Sequence, residues 1–296
     1  MSLVVAQDSF DPAQPDIPIG DWIEDGIDWL IDTFSIVFSA IRTGVTGAFE
    51  AVDSVLQIPH FLLMIVLFAA IGWVVRSWKL AVFAVVAFYL VESMDQWTAA
   101  MTTLAMVLVA AAVAVVLSIP LGIWAAKSNT VSQALRPILD FMQTMPPLVY
   151  LIPAVAAFQV GVTGGIVATI IFAMPPGVRF TELGIRQVDA EVVEAGHAFG
   201  SSPRRILRQI QLPLALPTIM AGINQVIMLS LSMVVLAAFI GAAGLGREVL
   251  SALARINVSQ GVEAGLAVVI LAIYLDRVVA ALADRAPVAR ASRVRD

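Results

Sequence analysis

The feature that most limits this chain is a succession of apolar runs, each about as long as a helix that crosses a bilayer. Such a helix takes about 20 mostly apolar residues, with a range near 17–25. Runs of this kind lie at roughly 58–75, 80–92, 99–126, 145–160, 164–177, 214–241 and 262–281. The 80–92 run is short, and 145–160 is interrupted by Pro146, Pro147 and Pro153. Composition agrees: 60% of residues are hydrophobic and 13% charged, against about 45–50% and about 25% in soluble domains. The expected fold is an all-α membrane protein, a multispan helical bundle of about seven transmembrane helices.

Charge in the connections gives the sidedness. Residues 1–57 hold ten acidic residues and one basic, Arg42. The next connection carries Arg76 and Lys79, the one after it Glu92 and Asp95, and the next Lys127 and Arg136. A neutral "GVTGG" follows, and 178–211 then carries five arginines. The tail from 282 adds Arg285, Arg290, Arg293 and Arg295. Lys and Arg excess marks the cytoplasmic side. The expected topology is therefore N-terminus outside and C-terminus inside, with an odd number of spans. Residues 1–57 become an external tail, 58–281 the transmembrane domain with a cytoplasmic loop at 178–213, and 282–296 a cytoplasmic tail. The first 20 residues lack the basic start and apolar core of a signal peptide and read as an exposed, Pro-rich tail. Within 21–56, Ile23, Ile27, Leu30, Phe34, Phe38, Ile41, Val45, Phe49, Val52 and Leu56 recur every three or four residues. That spacing predicts an amphipathic helix, acidic at its start and packed on the outer surface of the bundle.

Several chemistries lack their residues. There is no cysteine, and the histidines are His60 and His197. No glycine-rich phosphate loop occurs; Lys127 follows "LGIWAA", which cannot wrap a phosphate. No H-E-x-x-H and no Ser/His/Asp set is present. The expected spans are nearly free of ionisable groups, which mark proton and ion paths in membranes. A membrane-embedded enzyme is therefore remote. A proton-coupled carrier is disfavoured, although an ATP-independent channel or secondary carrier stays open as the rival reading. The chain is expected to bind no cofactor, metal or nucleic acid, and to draw its energy from another chain.

The stretch "EVVEAGHAFGSSPRRILRQIQLPLALP" is unusual among these runs. "AEVVEAGHAF" predicts a short helix whose Ala and Gly leave little bulk on one face. Gly200 suits a left-handed helix end. Ser202 then reads as an N-cap and Pro203 as the first residue of a second helix. That helix turns Ile206, Leu207 and Ile210 to one side and Arg204, Arg205 and Arg208 toward water or lipid headgroups. Leu212-Pro213 and Pro217 mark the return into the bilayer. The result is a rigid knob on the cytoplasmic side.

The residues Glu194, Ala195, Gly196, Gly200, Ile210, Leu212 and Pro213 fall at the spacing E-A-G-x-x-x-G, nine residues, I-x-L-P. This resembles the coupling motif of ATP-binding-cassette importer permeases, with Gly196 where an alanine is usual. The segments "LGIWAAKS", "RPILDFMQTMPPLVYLIP", "TIIFAMPPGVRFTELGIRQV", "LPLALPTIMAGINQVIMLSLSMVV" and "GLGREVL" are similar to the glycine betaine/proline permease subfamily, over roughly residues 95–281. The resemblance implies a type I importer permease fold in a bacterial inner membrane. It also implies a cytoplasmic ATPase subunit that holds ATP and Mg and receives the knob, and an external substrate-binding protein. The substrate implied is a trimethylammonium or betaine-type osmolyte: glycine betaine, proline betaine, choline, trimethylamine N-oxide or proline. In that setting Glu194 anchors the knob and Arg204 pairs with acidic groups or faces lipid phosphate. One knob per chain and two ATP sites imply a second permease copy.

The passage is less constrained. Gln143, Thr144, Pro146, Pro147 and Tyr150 either shape a gate or belong to a proline-kinked packing helix. A second Pro-Pro pair, in "FAMPPGVRF", is expected near a span end. Asn224, Gln225, Ser230 and Ser232 either line the path or hold helices together, since polar groups in a bilayer usually face the bundle interior.

Overall fold

The computed structural model describes residues 18–284; the Pro-rich start and the arginines of the C-terminal tail lie outside them. The described residues form thirteen α-helices and no strand. They are α1 (Ile19–Thr33), α2 (Ser35–Gln57), α3 (Phe61–Val75), α4 (Trp78–Ser93), α5 (Trp97–Lys127), α6 (Asn129–Thr144), α7 (Leu151–Phe158), α8 (Val162–Arg186), α9 (Ala190–Ala198), α10 (Pro203–Ile206), α11 (Leu212–Leu236), α12 (Leu245–Arg255) and α13 (Val258–Asp284).

Every apolar run is helical, but the runs are not seven equal spans. Four helices are long and apolar enough to cross a membrane: α5, α8, the continuous helix Pro203–Ile240 and α13. The pairs α2 with α3 and α6 with α7 raise this to six if each is one bent span. Helices α3 and α4 have 15 and 16 residues. At 1.5 Å per residue each rises only about 22–24 Å, short of the roughly 30 Å hydrocarbon core. The 145–160 run is a 3₁₀ turn, Pro147–Tyr150, followed by eight-residue α7, and it meets α6 at 108°. Its prolines break the backbone hydrogen-bond ladder at the start of the run, so no straight span forms. The second Pro-Pro pair corrects the expectation of a span end. Pro175 and Pro176 lie inside α8, buried against its neighbours, and the helix continues to Arg186.

The predicted helix over 21–56 is two helices, broken at Phe34 (φ −110°, ψ 28°). Helix α1 buries none of its residues. Helix α2 packs on the bundle, burying Val45 and Leu56. It is tied down by Arg42 Nη2 donating to Ala157 O (3.2 Å), by Thr46 and Thr163 (2.8 Å), and by Gln57 Nε2 donating to Thr102 Oγ1 (3.0 Å).

The centre of the bundle is α8, gripped by α5 on one side and α11 on the other. Lipid tails are as apolar as leucine, so helices associate in a membrane through close packing, which small residues permit. A Cβ on Gly122 would stand 2.5 Å from Thr181 Cβ and 2.7 Å from Val178 O, and one on Gly177 would overlap Ser118 Oγ. On the α11 side, a Cβ on Gly222 would meet Phe180 Cβ at 2.6 Å, and one on Gly184 would meet Ala215 O at 3.1 Å. These crossings fix the three helices at backbone-to-backbone range. A second cluster of Phe68, Phe88, Trp97 and Tyr274 joins α3, α4, α5 and α13, with Tyr274 OH donating to Phe68 O (2.9 Å).

Gly122→Val is expected to lower stability by about 1–3 kcal/mol through overpacking. Gly47→Val is expected to change it little, because nothing lies within 4 Å of a Cβ there. Thermal unfolding of the two detergent-solubilised variants measures the difference.

Candidate functional site

The knob forms at the junction of α8 and α11. The Asp189 carboxylate caps α9 by accepting from Glu191 N (2.9 Å). At the other end Gly200 takes φ +74°, a left-handed conformation favourable to glycine. Gly200 N donates to His197 O (2.9 Å) and Ser201 N to Gly196 O (3.1 Å). This pair of bonds is the Schellman arrangement. Space is not what requires glycine at 200, since nothing lies within 4 Å of a Cβ there; the backbone angle is. Pro203 begins α10 as expected, and Ser202 holds the N-cap position, but its hydroxyl makes no capping bond.

The expected second surface helix is instead the first turns of a continuous helix from Pro203 to Ile240. A π-helical segment, Leu207–Gln211, precedes Pro213. A proline removes one N–H and crowds the carbonyl four residues back; a wider turn at this point accommodates that without a break. The knob is therefore welded to α11, and through the three residues 187–189 to α8.

Gly196 is buried, and a Cβ there would stand 2.8 Å from Ile210 Cδ1 and 3.4 Å from Ile206 Cγ1. Its smallness lets α9 lie on Ile206 and Ile210, making the knob one packed unit. Leu207, Leu212 and Ala215 continue the packing onto Ile185 of α8. Glu194, Ala195 and Arg204 are exposed, and Pro213 is half-buried. At the tip, Phe199 is 90% exposed. The outer face of the knob thus combines an acid, small residues and an apolar ring.

The residues proposed for a passage do not converge. At the α6–α7 bend, Gln143, Thr144 and Pro146 are exposed and Pro147 half-buried. Tyr150 is buried: its hydroxyl donates to Met142 O, and its ring meets Phe172 edge-on at 5.7 Å. It packs with Met233 and Leu236 of α11 and so holds the bend against that helix. On α11, Asn224 Nδ2 donates to Asp276 Oδ1 of α13 (3.0 Å), and Ser230 is fully buried. Gln225 and Ser232 point outward on one stripe with Leu214 and Ala221. Asn224 therefore binds helices together, and only Gln225 and Ser232 keep an open face.

Two charged features escaped the reading of the spans. Asp276 lies within the run assigned to 262–281. At the knob end of α8, Arg179 pairs with Asp140 of α6, Ser132 Oγ donates to Glu182 (2.6 Å), and Arg186 bonds Glu182 (2.9 Å), Asn129 (2.9 Å) and Ala125 O (2.8 Å). Arg179, Glu182 and Arg186 are spaced i, i+3, i+7, one helix face. That spacing was readable once α8 was taken to run past 177.

The basic connections also gather at one end. Arg186 joins the ends of α5 and α8 beside the knob, while Arg76, Lys79 and Arg277 share a groove at the α3–α4 turn. Phe61 and Trp97, whose rings lie 6.2 Å apart, mark the opposite end, as does Gly161 N donating to Ile240 O (2.8 Å).

Residues 118–286 match the family described as "Binding-protein-dependent transport system inner membrane component". The chain belongs to this family. It is 46% identical over 264 residues, 89% of its length, to the glycine betaine transport system permease protein OpuAB of Bacillus subtilis, covering 94% of that protein. It is 48% identical over 280 residues, 93% of its length, to the glycine betaine/carnitine transport permease protein GbuB of Listeria monocytogenes, covering 99% of that protein. The fold is similar to the inward-facing MetNI methionine ABC transporter, with a TM-score of 0.57, 20% identity, and coverage of 61% of this chain and 91% of that one. The protein is thus a multi-pass membrane permease subunit of an ABC importer, not an enzyme. It works with an ATPase and a binding protein, and ATP hydrolysis lies in the separate ATPase subunit.

Gly196→Leu is expected to push α9 off Ile206 and Ile210, an overpacking cost of about 1–3 kcal/mol. Amide hydrogen exchange over 196–206 should speed up in the variant while exchange in α5 stays as in the parent.

Proposed function

We propose that this permease imports a small solute with a trimethylammonium head, with glycine betaine as its first candidate, and that it does so as a homodimer in a bacterial inner membrane. The substrate class rests on the relatives: the two named above carry glycine betaine, or glycine betaine and carnitine, which share a quaternary ammonium and a carboxylate. The observation that carries the mechanism is the knob. It is a packed unit, closed by Gly200, continuous with α11 and three residues from α8.

The orientation proposed is N-terminus outside, with the knob in the cytoplasm. One-sided gathering of Arg and Lys supports it. Glu194, Phe199 and the small face of α9 then dock on the ATPase, which holds ATP and Mg. Arg204 lies exposed on the next turn, where it pairs with an acid of that subunit. Because the knob is welded to α8 and α11, closure of two ATPases pulls both helices as a body. A flexible loop would absorb that motion.

The homodimer reading rests on one knob per chain and on the outward stripe of α11. Gln225 and Ser232 place amide and hydroxyl groups on the outer face of an apolar span. Polar groups in a bilayer face protein or water in preference to lipid, and a second copy would enclose them. Two such stripes facing one another make a passage of modest polarity. Tight recognition of the solute then belongs to the binding protein.

Uptake of labelled glycine betaine into proteoliposomes carrying the whole complex tests this. Gly200→Asp is expected to leave the permease inserted and to abolish ATP-dependent uptake; uptake at the parent rate would rule out the docking role. Transport by the permease without its ATPase would establish the channel or carrier reading instead. Uptake that is ATP-dependent yet indifferent to excess glycine betaine, carnitine and choline would sink the substrate class alone.

A further inference from the structure

The turn between α3 and α4 contains a feature that coupling does not use. Arg76 on the turn, Lys79 in the first turn of α4 and Arg277 on α13 line one groove of about 370 Å³, with Leu80, Phe83 and Ile273 as its apolar wall. No acidic side chain lines it. Among the described residues, none of the three cations makes a salt bridge or a side-chain hydrogen bond. Asp276, the acid next to Arg277, is instead engaged by Asn224. Like charges brought together without a counter-ion repel one another, so the groove has an unfilled demand for negative charge.

Two further observations indicate what kind of anion fits. Helix α4 begins here, and no side chain caps its N-terminus, because Ser77 makes no capping bond. Free N–H groups and the helix dipole attract an anion at such an end. The setting is also interfacial. The apolar run of α3 stops at Val75, and Trp73 and Trp78 on either side are 68% and 63% exposed, as tryptophans at a membrane–water boundary are. Val82 and Val86 farther along α4 are also exposed, giving acyl chains a surface to lie against. A basic groove with an apolar wall at headgroup depth suits a phosphodiester that carries hydrocarbon tails.

We propose that this groove is a binding site for a phosphate-bearing anion, supplied by the headgroup of an anionic phospholipid. The assignment does not rest on the solute or on the docking of the knob. The cations take the phosphate, the open end of α4 adds N–H donors, and Leu80, Phe83 and Ile273 take the proximal methylenes. An occupied groove staples the α3–α4 hairpin to α13, joining the periphery of the bundle to the helix that holds Asn224 of α11.

The purified permease–ATPase complex in neutral detergent tests the site by native mass spectrometry after addition of phosphatidylglycerol or phosphatidylcholine. The parent complex should retain phosphatidylglycerol in preference to phosphatidylcholine. Arg76→Gln, Lys79→Gln and Arg277→Gln should each weaken that retention about fivefold, and Arg277→Lys should restore most of it. Displacement of phosphatidylglycerol by millimolar inorganic phosphate would support the site and make free phosphate a competing source. Equal retention of the two lipids by the parent complex would overturn the proposal without any substitution. So would unchanged retention in the folded triple variant.

Discussion

Everything in this bundle depends on how closely α8 approaches its two neighbours. Without a solvent that expels apolar surface, membrane helices must gain their association from contact at short range. Gly122 and Gly177 set that range toward α5, and Gly184 and Gly222 set it toward α11. Thr181, Ser118, Phe180 and Ala215 stand against these glycines with little room for a further methyl, so the helices have few ways to slide. A force applied at the end of α8 or α11 is therefore carried along rigid elements.

The knob is joined to that rigid pair, which is what the proposed mechanical link requires. Its two parts are short, and neither would persist alone as a helix in water. They are held by one another: α9 lies on Ile206 and Ile210 through Gly196, and the segment from Pro203 packs on the ends of α8 and α11 through Leu207, Ile185 and Ala215. The network of Asp140, Arg179, Glu182, Ser132 and Arg186 extends the link to α6 and α5 at the same end. Partly exposed ion pairs of this kind contribute little stability individually. Their role here is to register α6 against α8, so that movement of α8 carries the bent α6–α7 segment with it.

The knob was the most legible part because its signals are local. A glycine at a helix end, a proline at the next helix start and apolar residues three and four apart each report the conformation of their own few residues. The spans were legible as helices for the same reason, since an apolar run of sufficient length leaves few alternatives in lipid. What the sequence could not show was where one helix becomes another. Phe34 breaks an uninterrupted amphipathic pattern, whereas Pro175, Pro176 and Pro217 fail to break helices that tertiary contacts hold. The fate of polar residues was likewise hidden. Asn224 and Gln225 are adjacent in sequence, yet one bonds Asp276 and the other points outward. Only the rotation of α11 decides between them.

That rotation also explains why a chain so poor in ionisable groups can form part of a pump. The α11 face turned toward α13 satisfies its polarity internally through Asn224 and Asp276. The exposed stripe about a quarter-turn round the helix carries Gln225 and Ser232; in the proposed passage these are polar enough to admit a solute and too weak to bind it. A site that held a quaternary ammonium tightly would need aromatic faces around it, and it would then release its cargo slowly. Separating capture, passage and energy among three kinds of subunit lets the membrane part remain a rigid, weakly polar frame. In the proposed mechanism the knob, packed and joined to two of the bundle's long helices, is then the place where work enters.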